Sequence, residues 1–359
     1  MAPHTQRLLP YVPEKLPVKL APNKQLLRSA HLAMKRYNAL LLQAECPKEL
    51  LHFLVLQETI ATTQLSTHSM HLRPYLEKLL MQSEKDPAVD TISDTFFAFD
   101  RAARKLKTHV LSKSLLCEMH AAIKRHTATV KSALGQYRSK QNWIGAKGCS
   151  LSEAYFLPPT PDGVKKGMKQ LITFANCATE DPLLQLAQVI AQILIIHPFM
   201  DGNGRVARMS IPLILYTSGA LASPYFFMSR YIQQHRLDYL RTLYDITDED
   251  NWLNWTHFFL KGLKCQAERE GRKVERLLMR WGAVEEALKE ISTPRLRHRI
   301  QKFLFTHPLF TPTVFQQALD CSDSKRDLLI STLHRLKVIA PYRTKKLRGW
   351  VFQPLKKLS

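Results

Sequence analysis

Acidic residues are scarce in this chain: thirty Asp plus Glu stand against fifty-two Lys plus Arg, a formal charge of +22 over 359 residues. Such a balance favours partners that carry negative charge, namely nucleic acid, acidic proteins or phosphate-rich ligands. Cysteine pairing is also missing. Cys46, Cys117, Cys149, Cys177, Cys265 and Cys321 lie far apart, with no CxxC among them. That spacing argues against a disulfide framework or a zinc cluster and favours free thiols in a reducing compartment. Long hydrophobic runs are absent too. In LLQLAQVIAQILIIH, Gln185, Gln188 and Gln192 interrupt the run every three or four residues, well short of a membrane span. The opening MAPHTQRLLPYVPEKLP lacks the continuous apolar segment of a secretory signal. The expectation is a cytoplasmic protein with no membrane partner; secretion by a non-classical route stays open.

Hydrophobic residues make up 45% of the chain, enough for one large core or a core with a small satellite. Five spaced prolines keep residues 1–22 extended. From about Asn23 to about Arg125, apolar residues recur at three- and four-residue spacing, as in LLRSAHLAMKRYNALLLQ, and predict helices. The segment YRSKQNWIGAKGCSLSEAYFLPPTPDG breaks that pattern with turn residues and two short extended candidates, a hairpin or irregular flap. Helices resume at VKKGMKQLITFANCA and run to about Glu290. Beyond Ser292, three short helical stretches precede RTKKLRGWVFQPL, whose two extended ends flank a basic turn. Three helices and a hairpin suggest a winged helix over residues 291–359, with a compact helical cap as the alternative.

Between two apolar helical segments stands HPFMDGNGRVAR. Gly202 and Gly204 let a backbone approach an anion without Cβ interference. A helix beginning near Asn203 would aim its free N–H groups into the loop, a ready phosphate site. Arg205 and Arg208 are three apart and fall on one helical face, with forked donors suited to phosphate. Asp201 can hold a magnesium ion that bridges phosphate oxygens. His197 is the one side chain here able to take a proton near neutral pH. No Lys-Ser/Thr pair follows the glycines, so this is not the GxxxxGK[ST] loop.

HPFMDGNGRVAR resembles the Fic signature HxFxxGNGRxxR at every fixed position. The surroundings YRSKQNWIG, YFLPPTPDGVKKGM, SPYFFMSRYIQQHRLDYLRTL and NWLNWTHFFLKG are similar as well, so the resemblance spans about residues 1–275. It implies a mainly α fold: an N-terminal extended segment and helical region over 1–110, a Fic-type helical core with a short β-hairpin flap over 111–290, and the small winged-helix-like domain. It also implies a protein adenylyltransferase that moves AMP from ATP to a Tyr, Thr or Ser hydroxyl of a target, with auto-AMPylation left open. His197 would then be the base and Asp201 the holder of Mg2+. Gly202, Asn203 and Gly204 would line the anion nest, with Arg205 and Arg208 on the β- and γ-phosphates. Tyr239 would lie beside adenine, although the family's tyrosine pair reads Tyr239-Leu240 here; as a bare residue it is equally a core aromatic. The flap 137–145 would dock the target's extended chain, with Trp143 either part of it or a core residue.

Many relatives with this N-terminal region carry an inhibitory [ST]xxxE[GN] whose glutamate pairs with the second signature arginine. The corresponding stretch is ETIATTQLSTHS, aligned so that Thr62 leads, Ser66 stands where glutamate is expected and Thr67 follows. Serine offers no charged bidentate partner, so the brake is absent or supplied by another acid. Glu58 lies two turns earlier, poorly placed for the task. Other readings remain. Transfer of another group or nucleotide is disfavoured by the intact GNGR, and AMP removal by the missing glutamate. The basic residues Lys325, Arg326, Arg335 and Lys337, with Arg343, Lys345, Lys346 and Arg348 around the turn, leave DNA or a protein as a partner of 291–359. A homodimer is also open.

Overall fold

The structure is a computed structural model and describes residues 9–43, 48–66, 70–81, 86–106, 111–128, 131–146, 148–291 and 293–353. Cys46, Thr67 and Ser292 lie outside them. The five described cysteines are free thiols, and among the described residues no helix is long and apolar enough to cross a membrane.

The protein is mainly α, as its periodicity predicts. α1 (Lys24–Gln43), α2 (Lys48–Gln64), α3 (Leu72–Met81), α4 (Pro87–Lys105) and α5 (Lys113–Ile123) form the N-terminal half. α6 (Pro161–Ala175), α7 (Pro182–Ile196), α8 (Asn203–Thr217), α9 (Ser229–Gln234), α10 (Arg236–Glu249) and α11 (Trp252–Ala287) follow. Starts are marked by side chains: Asp86 and Asp181 each accept two first-turn amides, with proline in the first turn of α4 and of α7.

α7 and α8 pack on one another at the centre, and α1 runs along α11. Every residue of α7 but Pro182, Leu184 and Leu194 is buried, its three glutamines included. Their polar groups are used rather than stranded in two of three cases. Gln185 donates to the Phe174 and Cys177 carbonyls, and the Gln188 carbonyl accepts the Val18 amide at 2.7 Å. That last bond ties the extended proline-rich segment to the central helix. The Trp255 indole donates to the Ala187 carbonyl at 2.8 Å and does the same for α11.

The flap is less regular than a hairpin. Its two extended ends meet in one antiparallel bridge, Ile144 to Phe156, and the intervening chain closes on itself through the Ser150–Glu153 capping box. Side chains replace the missing ladder: Gln141 donates to the Asn142 and Pro158 carbonyls, and the Trp143 indole to that of Cys149.

Past α11 come α12 (Pro294–Thr306), β1 (Leu309–Phe310), α13 (Pro312–Leu319), α14 (Asp323–Arg335), β2 (Ile339–Arg343) and β3 (Arg348–Phe352). The strands form an antiparallel sheet in the order β1-β3-β2, with Leu309 opposite Val351 and Tyr342 opposite Gly349. This unit does not stand apart. Phe303, Phe305, Phe310 and Phe315 belong to the same apolar cluster as α2, α7 and α11, and Lys302 pairs with Glu49 at 2.9 Å. Tyr342 on β2 bonds Arg73 and Glu77 of α3.

Candidate active site

The loop between α7 and α8 is a sharp reversal built from two left-handed residues. His197 ends α7 at φ 52°, and Gly202 precedes α8 at φ 83°. Asn203 closes the loop. Its side-chain carbonyl accepts the Phe199 amide and its amide donates to the Phe199 carbonyl, both at 2.8 Å. α8 therefore begins at Asn203, and its first amides face the loop.

The His197 Nδ1–H donates to the Leu194 carbonyl at 3.1 Å, which fixes the tautomer and leaves Nε2 as a lone-pair base. Burial pulls the His197 pKa down to about 4; the Arg138 charge adds to this, while the Leu194 bond and Asp201 oppose it. At neutral pH the ring is uncharged and ready to accept a proton. Arg205 is 1% exposed, and its Nε and Nη1 have no hydrogen-bond partner. A buried guanidinium with idle donors is costly unless a ligand completes it. Arg208 lies 5% exposed over Gly204, where a Cβ would stand 2.9 Å from Nη1. Gly204 thus makes room for the arginine as well as for an anion.

Asp201 presents an exposed carboxylate at the mouth of the loop. Burial of its inner side would raise its pKa, but the Lys124 ammonium, the Arg205 charge and the Gly202 amide outweigh that and hold it below the ordinary value. Among the described residues, no group of three or more His, Cys, Asp or Glu could hold a metal. A cation at Asp201 would take its remaining ligands from phosphate and water. That is the habit of magnesium, so the residues fit it as a bridging ion.

Tyr239 is 7% exposed, with its ring packed 5.8 Å from Trp255 and 6.2 Å from Phe258. What it turns toward Arg208 is its hydroxyl, which makes no hydrogen bond of good geometry there. Trp143 is 42% exposed on the flap, not a core residue.

Arg208 is met by Thr62, the leading residue of the stretch aligned with the inhibitory motif: Nε donates to the Thr62 hydroxyl at 2.7 Å and Nη2 to its carbonyl at 3.1 Å. Ser66 is exposed one turn later, where its hydroxyl donates back to the Thr63 and Thr62 carbonyls. Glu58 is buried and bonds Ser229 at the start of α9 through both oxygens. Burial raises its pKa to about 8, with the Ser229 bonds and the Arg208 charge opposing. At neutral pH it is largely protonated, so Arg208 faces neutral partners.

Three residues that sequence reasoning passed over complete the site. Arg138, 3% exposed, donates to the carbonyls of His197, Lys140, Pro159 and Ile196 and so fastens the flap base to the α7–α8 loop. His120 stacks on Phe199, centroids 4.0 Å apart, accepts the Gly135 amide at Nδ1 and donates from Nε2 to the Asp201 carbonyl. Burial lowers the His120 pKa to about 4, so it is a neutral strut. Lys124 pairs with the Asp201 carboxylate at 2.5 Å. The one signal for the last two was a four-residue spacing on α5, which any helix face can show.

Residues 110–215 match the model of the Fic/DOC family. The protein adenylyltransferase fic-1 of Caenorhabditis elegans is 30% identical over 130 residues, 33% of this chain and 23% of that protein. The match thus spans under a quarter of that curated relative's length. Among solved structures, a Fic family protein from Desulfovibrio desulfuricans superposes with a TM-score of 0.59 at 18% identity, covering 94% of this chain and 97% of that one. A Fic domain-containing signaling protein from Bacteroides thetaiotaomicron gives 0.56 at 17%, covering 69% and 96%. At these identities the structural likeness establishes the fold.

Proposed function

Because the chain carries a Fic domain, we propose that its α7–α8 loop transfers AMP from ATP to a hydroxyl side chain (Tyr, Thr or Ser) of a target protein. One observation carries this reading. The buried, unpartnered donors of Arg205, in the first turn of α8, follow the short loop that opens with a histidine whose Nε2 is free and uncharged. Idle cationic donors call for an anion, and a neutral imidazole beside them calls for a proton.

In the transfer, the target hydroxyl gives its proton to His197 Nε2 while its oxygen bonds the α-phosphorus. The bond from that phosphorus to the β-phosphate oxygen breaks, and pyrophosphate leaves. Arg205 and Arg208 hold the departing phosphates, and the first amides of α8 line the nest. Magnesium at Asp201, when bound, neutralises phosphate charge. The flap at 137–145, with Ile144 bridged on one edge only, offers backbone groups to an extended target segment. Arg138 keeps that flap in register with His197.

We read the C-terminal helices and sheet as a winged helix docked on α2 and α3, at the boundary 291–359. Its basic residues are partly spent. Arg326 bonds Asp323, Asp327 and Gln316, and Arg335 bonds Glu290. That favours a docking element over a DNA reader.

Labelling tests the transfer directly. Protein incubated with lysate and ATP labelled at the α-phosphate should leave acid-stable label on a target or on itself, and the purified chain alone should take no label from γ-labelled ATP. Retention of γ-label instead would mean phosphate transfer and would overturn the reading. The pH dependence tests the base. A neutral His197 loses function only when protonated, so kcat/KM should stay level as pH falls from 8 and decline through about 4. An acid limb near 6.5 would show that the base is solvated or is another group.

A further inference from the structure

Lys124 is unlike the chain's other basic side chains near the loop. It caps the C-terminus of α5, and its side chain is 12% exposed while that of Asp201, its partner, is 63% exposed. The stem is held by packing. A Cβ placed on Gly202 would lie 3.5 Å from Lys124 Cδ and 3.6 Å from Cγ, so the lysine runs along the bare backbone of the glycine loop. One turn earlier, His120 braces the same loop through the Asp201 carbonyl. Only the ammonium end has freedom, and it reaches the Asp201 carboxylate at 2.5 Å.

The consequence follows from charge. In the free chain the carboxylate already has a counter-ion, and its other oxygen accepts the Gly202 amide at 2.6 Å. A divalent cation arriving alone meets an ammonium at contact distance, a repulsion strengthened by the walls around the lysine stem. A polyphosphate changes the balance. Seated over the amides at 202–204, its oxygens come within reach of an ammonium whose stem lies against Gly202. The ammonium can pass to phosphate as the metal takes the carboxylate.

We propose that Lys124 makes divalent-metal binding at Asp201 conditional on the nucleotide, screening the carboxylate in the free chain and binding phosphate in the loaded one. This rests on the nucleotide reading of the loop. An ordinary structural ion pair, once broken, would also free the carboxylate for a cation but would leave metal-free ATP affinity unchanged, so the ATP titration separates the two.

The experiment uses the full chain and no turnover. Mn2+ binding to the nucleotide-free protein is titrated by the EPR signal of free Mn2+, and ATP binding is titrated calorimetrically in EDTA. Lys124→Met keeps the stem's length and packing while removing the charge; Lys124→Gln serves if the methionine variant fails to fold. Loss of one ammonium beside the site should tighten Mn2+ by about tenfold and weaken metal-free ATP by about tenfold. The gain in Mn2+ affinity should vanish when Asp201→Ala is added. Equal Mn2+ affinity in wild type and Lys124→Met, unchanged metal-free ATP affinity, or a gain that survives Asp201→Ala would each overturn the proposal. Arg205→Ala separates the two levels. If it leaves ATP affinity untouched, the nucleotide reading itself falls. If it weakens ATP while the lysine variants match wild type, only the role of Lys124 falls.

Discussion

His197→Ala should lower the transfer rate by roughly 10²–10⁴-fold and leave ATP affinity within about threefold of wild type. The separation follows from the geometry. The imidazole is tied through Nδ1 to the Leu194 carbonyl and leaves only Nε2 as an acceptor, while the donors proposed for phosphate belong to Arg205, Arg208 and the start of α8. Removing the ring removes the proton acceptor and none of the anion site. His197 also sits in the left-handed region at φ 52°, and its carbonyl receives Arg138. Alanine is strained there by about 1 kcal/mol. His197→Asn, which tolerates that backbone, therefore accompanies it. Label transfer by α-labelled ATP and calorimetric ATP binding would be read on both. Near-wild-type labelling by either folded variant would remove His197 from the mechanism.

The catalytic loop was legible because its chemistry is contiguous: base, acid, glycines and both arginines fall within twelve residues. What lay outside was carried by tertiary contact. Arg138 reaches the His197 carbonyl across 59 residues of sequence, and Lys124 reaches Asp201 across 77. Neither belongs to a motif whose residue types announce a role. The helices were legible from spacing, and Gln185 and Gln188 of α7 fit, since burial on all sides lets a polar group survive where a carbonyl or amide meets it. The flap was harder. A hairpin needs two alternating runs, and here side chains of Gln141 and Trp143 satisfy backbone groups that a ladder would otherwise have paired. The contacts of the inhibitory stretch were hidden on a different ground. Read as one continuous helix, Thr62 and Ser66 fall one turn apart on the same side, so periodicity alone cannot choose between them, whereas α2 in fact ends at Gln64 and leaves Ser66 exposed. Only the packing of α2 against α8 decides, and it brings Thr62 to Arg208.

Placing a carboxylate at that position should install a brake: Thr62→Glu is expected to weaken ATP binding on the order of 10–100-fold and to slow transfer with it. Thr62 already accepts two Arg208 donors, so a carboxylate there lies within reach of the same fork. A charge-assisted pair is worth about 1.5–3 kcal/mol, which sets the order of the loss once ATP has to break it. The charge also has no rival nearby. Glu58, one turn back, is engaged with Ser229 and held largely protonated at neutral pH by its burial. Thr62 is fully buried, so a longer side chain brings a packing cost of about 1–3 kcal/mol. Thr62→Gln carries the same bulk without the charge and isolates that cost: it should unfold at nearly the temperature of Thr62→Glu yet bind ATP several-fold more tightly. Ser66→Glu points a carboxylate into solvent one turn further on and should leave ATP affinity and rate unchanged. The measurement is an ATP titration on the four proteins beside their thermal unfolding. If Ser66→Glu inhibits and Thr62→Glu does not, α2 sits one turn away from where the Arg208 contacts place it. If glutamate and glutamine at 62 weaken ATP equally, bulk and not an ion pair is responsible.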